Sequence, residues 1–228
     1  ERRLHRMLSN FLGAELSGVS PFAVIREVTT VAVVVFAWNS SLCGGFNANV
    51  IRHLNEVVAE YEPKVGRENI LIYPVGRKVA DAVKKMEGLT AAGDYQHMSG
   101  KPNYQEAADL AAELMTRFAN GEIQQVELLY NHFKSTSSQV LTREIYLPLD
   151  LSAGHADEKG EEQETMQADY LIEPSPEQVM EELLPKVLRM KMYTVLLDST
   201  ASEHAARTMA MQIATDNAND LIQDLTLI

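Results

Sequence analysis

The stretch TVAVVVFAW, at residues 30–38, decides the fold of this chain of 228 residues. It is continuously apolar and rich in β-branched side chains, as strands are when both faces of their sheet are covered. It is followed by SSLCGGFNANV, a loop of small residues that leads into a helical pattern. The sequence therefore predicts a central strand, a tight turn and a crossover helix, which together begin an α/β sheet.

Strand and helix patterns continue to alternate beyond this unit. Helices are predicted at residues 50–61 (ended by Pro63 and Gly66), 77–86 and 105–119. Strands are predicted at residues 69–74, 125–133, 140–149 and 168–174, with a loop at 88–103 and a solvated acidic loop at 154–164. This order predicts a Rossmann-like sheet domain at residues 22–175, with parallel strand pairs and flanking helices.

The strand predicted at 140–149 has alternating character. Leu141, Ile145 and Leu147 alternate with polar neighbours such as Thr142 and Glu144. Because successive side chains of a strand point to opposite faces, this pattern predicts a hairpin strand with its apolar residues inward and its other face wetter.

The C-terminal quarter differs from the rest. Residues 176–228 contain no glycine, and Pro185 lies near their start. A helix at 178–227 would be about 75 Å long, whereas the remaining domain would measure only about 35–40 Å across. We therefore predict that its first half, up to Leu197, covers the sheet and that its second half projects.

A projecting helix must bury its apolar stripe. Alanines recur every fourth residue from Ala206 to Ala218, and the stripe continues into Leu221 and Leu225. Small residues at this spacing are typical of closely approaching helices. Residues 1–16 form an amphipathic pattern as well, so we predict that the terminal helices, 1–16 and 176–228, pair as an antiparallel coiled coil.

Charge and composition exclude several classes of function. The chain has 20 basic and 32 acidic residues, a net charge of −12, which disfavours nucleic acid as a partner. Its longest apolar run is the eight residues 31–38, too short for a membrane span. Cys43 is the only cysteine, so neither an internal disulfide nor a paired-cysteine zinc site can form. A reducing compartment fits that usage.

No catalytic or nucleotide-binding motif is present. The Gly44-Gly45 pair lacks the glycine spacing of a dinucleotide fold, and Lys101 is followed by proline rather than by a hydroxyl residue. Two alternatives stay open on the residues alone. One is a cysteine-dependent α/β enzyme that uses Cys43 as nucleophile, although no motif marks a histidine base. The other is a coiled-coil adaptor that dimerises through residues 206–225.

Two stretches carry a specific resemblance. SSLCGGFNANV, at 40–50, resembles the S-x-x-G-L-C-G-G-[hydrophobic]-N segment of the gamma subunit of rotary ATP synthases. TASEHAARTMAMQIATDNANDLIQDLTLI, at 200–228, is similar to that family's A-S-E-x-x-A-R-M-x-A-M-x-x-A-T-x-N-A helix. The order of EIQQVELLYNHF and Tyr146-Leu147-Pro148 also fits, so the resemblance covers nearly the whole chain.

The resemblance implies a non-catalytic central-stalk rotor subunit without a cofactor or metal. Its implied partners are the alpha and beta subunits, the epsilon subunit and the membrane c-ring, with proton-driven rotation coupled to ATP synthesis. The implied location is the cytoplasmic side of a bacterial inner membrane or, alternatively, the matrix side of the mitochondrial inner membrane.

The resemblance also implies subunit-interface residues, which are Glu203, Arg207 and Met211. In the family, the arginine at the position of Arg207 contacts an acidic loop of a beta subunit. Thr208 replaces the family's methionine beside it. Compared with the family, the chain is expected to lack parts of both shaft helices.

Overall fold

The computed structural model describes residues 20–39, 41–149 and 176–226. Its strands are β1 (Val31–Phe36), β2 (Ile70–Val75), β3 (Thr90–Ala91), β4 (Gln125–Ser135) and β5 (Ser138–Leu147). Its α-helices are α1 (Phe46–Val65), α2 (Arg77–Val83), α3 (Tyr104–Ala119) and α4 (Pro176–Thr226). A short 3-10 turn, Arg67–Asn69, leads into β2.

The strands form one sheet in the order β3-β2-β1-β4-β5. β1 is parallel to both of its neighbours, β2 and β4, and β5 returns antiparallel to β4 as a hairpin. β1 is therefore the central strand, as its composition predicts, and all of its residues are buried. The predicted α/β sheet with parallel strand pairs and flanking helices is confirmed among the described residues.

The alternating side chains of β1 enter two separate cores. Ala32, Val34 and Phe36 pack on one face with residues of α3 and the first half of α4. Val31, Val33 and Val35 pack on the other face with residues of α1 and α2. Helices thus cover both faces, which explains why the strand carries no polar residue.

α4 is a continuous helix of 51 residues, about 77 Å long at 1.5 Å per residue. Leu184, Leu188, Met192 and Val195 are buried in its first half. Every residue from 211 to 226 is exposed. The long C-terminal helix predicted from the sequence is confirmed, and its last four turns extend beyond the sheet domain among the described residues.

Two predicted helix ends are wrong. α1 runs through Pro63 to Val65 rather than ending before the proline. Pro63 lies in the last turn, where one lost backbone hydrogen bond is tolerated, and the buried Val58 and Tyr61 hold that turn on the sheet. α2 ends at Val83, three residues earlier than predicted, because only its first turns pack on the core.

The alternation predicted for the hairpin strand is wrong at its end. Ile145 is 60% exposed, whereas Tyr146 is buried beside Leu147. The register between β4 and β5 shifts at Val126 and Glu127, so one extra residue of β5 is accommodated there. Such an irregularity reverses which residues face the core, and the polar/apolar pattern does not reveal it.

Some predictions fall outside the described residues. They are the helix at 1–16, the acidic loop at 154–164 and the strand at 168–174. The two-residue strand β3 lies inside the predicted loop 88–103 and was not predicted, because so short an edge strand has no periodic pattern to detect.

Candidate functional site

The loop between β1 and α1 is held rigid by one asparagine. Asn47 Oδ1 accepts a hydrogen bond from the backbone N–H of Trp38 at 2.9 Å. Its Nδ2 donates to Cys43 Sγ at 3.4 Å. A side chain from the first turn of α1 thereby fixes both ends of the loop, so the small-residue sequence folds into a defined shape.

Leu42 occupies an unusual position in this loop. Its φ of 69° lies in the left-handed region, which leucine rarely adopts, and its side chain is 72% exposed. Gly44 follows with a φ of 58°, which glycine adopts without cost. A strained, solvent-facing apolar residue on a rigid loop is a feature found at functional surfaces.

α4 passes directly over the loop. A Cβ added at Gly44 would lie 3.9 Å from the Cβ of Ala210. The rings of Trp38 and His204 meet edge to face with their centroids 5.4 Å apart. Part of the predicted alanine stripe therefore contacts the glycine loop, and the two stretches that carry the family resemblance meet in space. We call this region the loop–helix junction, which comprises residues 38–39 and 41–47 with 202–211.

An ion pair lies at the centre of the loop–helix junction. Glu203 is completely buried, and its Oε1 pairs with Arg207 Nη2 one turn further along α4. The Arg207 side chain keeps about a quarter of its surface exposed, at 24%. Burial raises the pKa of Glu203 above its usual value, and the charges of Arg207 and His204 oppose this only in part.

The structure brings the three predicted interface residues onto one stretch of α4 but gives them different environments. Glu203 faces the interior, Arg207 lies at the boundary, and Met211 is half-exposed at 48%. Of these three residues, only Arg207 and Met211 have exposed side-chain surface in the described chain.

A second clamp fixes α4 to the end of β4, and sequence reasoning missed it. Asp198 accepts a hydrogen bond from the backbone N–H of Phe133 at 2.9 Å and pairs with His132 Nδ1 at 2.5 Å. Ser202 Oγ donates to the carbonyl of Asn131 at 2.9 Å. The available signal was one aspartate in the apolar stretch YTVLLDST, which is too weak to identify a partner.

Cys43 does not have the environment of a nucleophile. Its thiol is buried at 3% exposure, and burial and the nearby Glu203 raise its pKa. A nucleophilic cysteine needs a lowered pKa and access to substrate. The alternative of a cysteine-dependent enzyme is therefore not supported.

The described part of the chain holds no cluster of histidine, cysteine and carboxylate side chains suited to a metal ion. None of its helices combines the length and the apolar character that a membrane crossing requires. What the loop–helix junction offers is a rigid, partly charged protein surface on a projecting helix.

The described residues form a mixed α/β sheet domain that carries a long helix with exposed last turns. The profile of the ATP synthase family matches residues 1–228. The ATP synthase gamma chain of Phocaeicola vulgatus is 65% identical over 228 residues, covering 100% of this chain and 77% of the relative. That of Bacteroides fragilis is 54% identical over 226 residues, covering 99% and 76%. The chain belongs to the ATP synthase gamma chain family.

Solved structures agree on the fold. The central stalk and c-ring assembly of Tetrahymena thermophila mitochondrial ATP synthase contains a chain with a TM-score of 0.59 at 22% identity, covering 94% of this chain and 98% of that one. The rotor of the Euglena gracilis mitochondrial enzyme gives a TM-score of 0.61 at 23% identity, covering 97% and 79%. As a gamma chain, the protein is a non-catalytic central-stalk subunit of a membrane-associated complex.

Proposed function

We propose that this chain couples proton-driven rotation to ATP synthesis by turning inside a ring of alpha and beta subunits, with its sheet domain against the epsilon subunit and the c-ring. The observation that carries the proposal is the exposure of every residue at 211–226, on all sides of α4. Ile213, Leu221 and Leu225 of this helix are exposed apolar residues. Apolar residues exposed in this way indicate a surface that another helix or subunit buries. Its surroundings in the complex must cover it.

The first cover we propose is the chain's own N-terminal segment. Ala214, Ala218, Leu221 and Leu225 are exposed at spacings of four and three, which places them on one side of α4. Residues 1–16 have a matching amphipathic pattern. We propose that they pair antiparallel with this stripe, as an arm of the terminal-helix unit, while residues 22–175 form the globular domain.

The second cover we propose is a beta subunit. Arg207 offers a partly exposed guanidinium and Met211 an apolar side chain one turn further on, and the loop of the same junction carries the exposed Leu42. An acidic loop of a neighbouring subunit would match this positive, apolar surface. In this proposal Glu203 belongs to the interface indirectly, because it is the buried counter-charge of Arg207.

Rotation would act through differences in contact. A stalk with one charged, apolar side presents unlike surfaces to successive beta subunits. Each nucleotide site is then biased by the differential free energy of those contacts, which is the only means by which a non-catalytic subunit shifts an equilibrium. We place the complex on the cytoplasmic side of a bacterial inner membrane because the relatives reported above are bacterial.

Disulfide cross-linking tests the antiparallel pairing. In a full-length chain with Cys43→Ala, a single cysteine at Leu4 or at Phe11 is combined with one at Ala214, Ala218 or Leu225. We expect Leu4→Cys to cross-link at a more C-terminal position of α4 than Phe11→Cys. The opposite order, or cross-linking between chains only, contradicts the proposal.

Reconstitution tests the role in the motor. Full-length chain is assembled with the alpha and beta subunits of the same synthase, and ATP-driven rotation is followed with a probe on the sheet domain. We expect rotation with the wild-type chain and a clear loss of torque with Arg207→Gln. Arg52→Gln, an exposed change on α1, is the matched control and should rotate normally. Absence of rotation with the wild-type chain contradicts the proposed function.

A further inference from the structure

Glu203 has an incomplete set of partners for a buried carboxylate. Its Oε1 pairs with Arg207, but its Oε2 is buried without a hydrogen-bond partner among the described residues. His204 Nδ1 lies 3.6 Å from Oε2, beyond hydrogen-bond distance. Buried polar atoms in native proteins nearly always have partners, so an atom of this kind calls for an explanation.

The charged and titratable groups near Glu203 decide whether its carboxylate can bind a proton. On α4 itself, Arg207 and His204 face it, and Cys43 faces it from the β1–α1 loop. At the neighbouring end of β4, the Asn131 carbonyl accepts a hydrogen bond from Ser202 and the His132 imidazole is paired with Asp198. Burial raises the pKa of both Glu203 and Cys43. The thiol therefore stays neutral and adds no second negative charge beside Glu203.

We propose that Glu203 is a positioning residue for Arg207 and that Oε2 is a proton-binding site which controls it. With the carboxylate ionised, the ion pair holds Arg207 against the loop–helix junction. When Oε2 takes a proton from solvent, one O–H bond forms, the carboxyl becomes neutral, and the guanidinium turns outward to the surface that meets the neighbouring subunit. This inference deepens the proposed function and rests on it.

The path for the proton follows from exposure. Glu203 itself has no contact with solvent, but Arg207, its cover, is about a quarter exposed at 24%. Movement of one arginine side chain is therefore enough to admit water to Oε2. No rearrangement of α4 or of the loop is required.

The chain supplies a matched control in Glu127, which is also buried and also paired with an arginine. Its two oxygens accept hydrogen bonds from Tyr61, Gln125 and Arg143 at 2.5–3.0 Å. Neither oxygen of Glu127 is therefore left without a hydrogen bond. Glu127→Gln thus measures what the loss of a buried charge does without a change at the loop–helix junction.

The first experiment compares pH profiles in the assembled alpha–beta–gamma complex. ATP hydrolysis is measured from about pH 5 to about pH 8.5 with wild-type chain, Glu203→Gln and Glu127→Gln. The neutral glutamine mimics the protonated state, so the Glu203→Gln rate should match wild type at low pH and differ from it about threefold at high pH. The Glu127→Gln ratio should stay constant. A constant Glu203→Gln ratio, or parallel profiles for both variants, overturns the inference.

The second experiment needs no variant and therefore decides the question even if Glu203→Gln does not fold. The full-length wild-type chain, without partner subunits, is treated with a dicarbonyl reagent specific for arginine, and modification of Arg207 is measured by peptide mass mapping relative to the exposed Arg52. We expect the ratio to be about threefold higher near pH 5.5 than near pH 8.5, because protonation releases the guanidinium. An unchanged ratio overturns the inference.

Different results would contradict the proposed function and the role of Glu203. If the wild-type chain does not support rotation, the proposed function fails. If it supports rotation while both the rate ratio and the Arg207 labelling ratio are independent of pH, only the role of Glu203 fails.

Discussion

Glu127 on β4 and Glu203 on α4 are both buried glutamates with an arginine partner, yet their surroundings are opposite. Glu127 receives hydrogen bonds from three side chains, and Arg143 also reaches Glu60 at 2.5 Å and lies over the Tyr61 ring. Glu203 has Arg207 alone, and one of its oxygens is without a hydrogen bond in the described chain. The first lies between the sheet and α1, and the second lies where the projecting helix leaves the domain.

The contrast shows how one residue type serves two purposes. A fully satisfied buried charge stabilises the geometry around it, because removing either partner exposes the other to desolvation. A half-satisfied charge contributes little to stability and responds to its surroundings. We therefore expect Glu127 to matter chiefly for the stability of the sheet domain and Glu203 for the position of Arg207.

The largest expected effect is at Glu127. Glu127→Ala leaves Arg143 and Tyr61 beside an empty buried position, so we expect the free energy of unfolding to fall by about 3 kcal/mol. Urea denaturation of the full-length chain measures it. Glu182→Ala, which removes an exposed pair with Lys186, should change stability by less than about 0.5 kcal/mol. A loss of stability in Glu127→Ala as small as that in Glu182→Ala would contradict the contrast between Glu127 and Glu203.

Tyr61 tests the same network from its donor side. Desolvation and Glu127 raise the pKa of Tyr61 to about 12 from 10.0. Because the folded pKa is the higher one, its contribution is complete below pH 10 and is lost as pH rises through about 12. Tyr61→Phe should be about 1 kcal/mol less stable than wild type at pH 8, and this difference should vanish and then reverse as the pH rises through about 12. A gap that widens with pH contradicts the assignment.

Variants of Asp198 test whether location or hydrogen bonding causes the difference between Glu127 and Glu203. It lies near the loop–helix junction, but both of its oxygens have partners, Phe133 N and His132. We expect Asp198→Ala to cost about 2 kcal/mol, measured by urea denaturation, and Asp198→Asn to cost less because it keeps an acceptor for the backbone N–H. If neither variant lowers the free energy of unfolding, the position of a carboxylate on α4, and not its hydrogen bonding, explains the difference between Glu203 and Glu127.

The smallest expected effect is at Glu203. Glu203→Gln should change the free energy of unfolding by less than about 1 kcal/mol near neutral pH, because the ionised form is already disfavoured by burial. The folded pKa is raised above the model-peptide value of 4.5. The stability of wild type relative to this variant is therefore greatest below about pH 4.5 and falls as pH rises through the folded pKa. A relative stability that rises with pH would contradict the sign of the shift.

The fold was largely predictable because its signals are local. The apolar run of β1 requires cover on both faces, and the absence of glycine after residue 176 allows one long helix. The errors came where contacts override pattern. Pro63 is carried inside α1 by the packing of Tyr61, and the shift in register at Glu127 turns Ile145 outward.

The candidate site was predictable only in part. The resemblance selected Glu203, Arg207 and Met211, but no spacing could show that the first is buried and the last exposed. Sequence reasoning also missed Asn47 and Asp198, which fix the loop and the helix. Their partners, Trp38 and Phe133, are defined by three-dimensional proximity, and for Asp198 the partner lies 65 residues away.

The sequence by itself determined the α/β order, the central strand, the long helix and membership of the gamma chain family, because periodicity, composition and motif identity are properties of the linear chain. Only the tertiary structure decided that the glycine loop meets α4, that Arg207 has its counter-charge in Glu203, and that Glu127 is satisfied where Glu203 is not. The reason is physical. Burial and hydrogen bonding depend on which distant segments are brought into contact, and the charge state of a carboxylate depends on both.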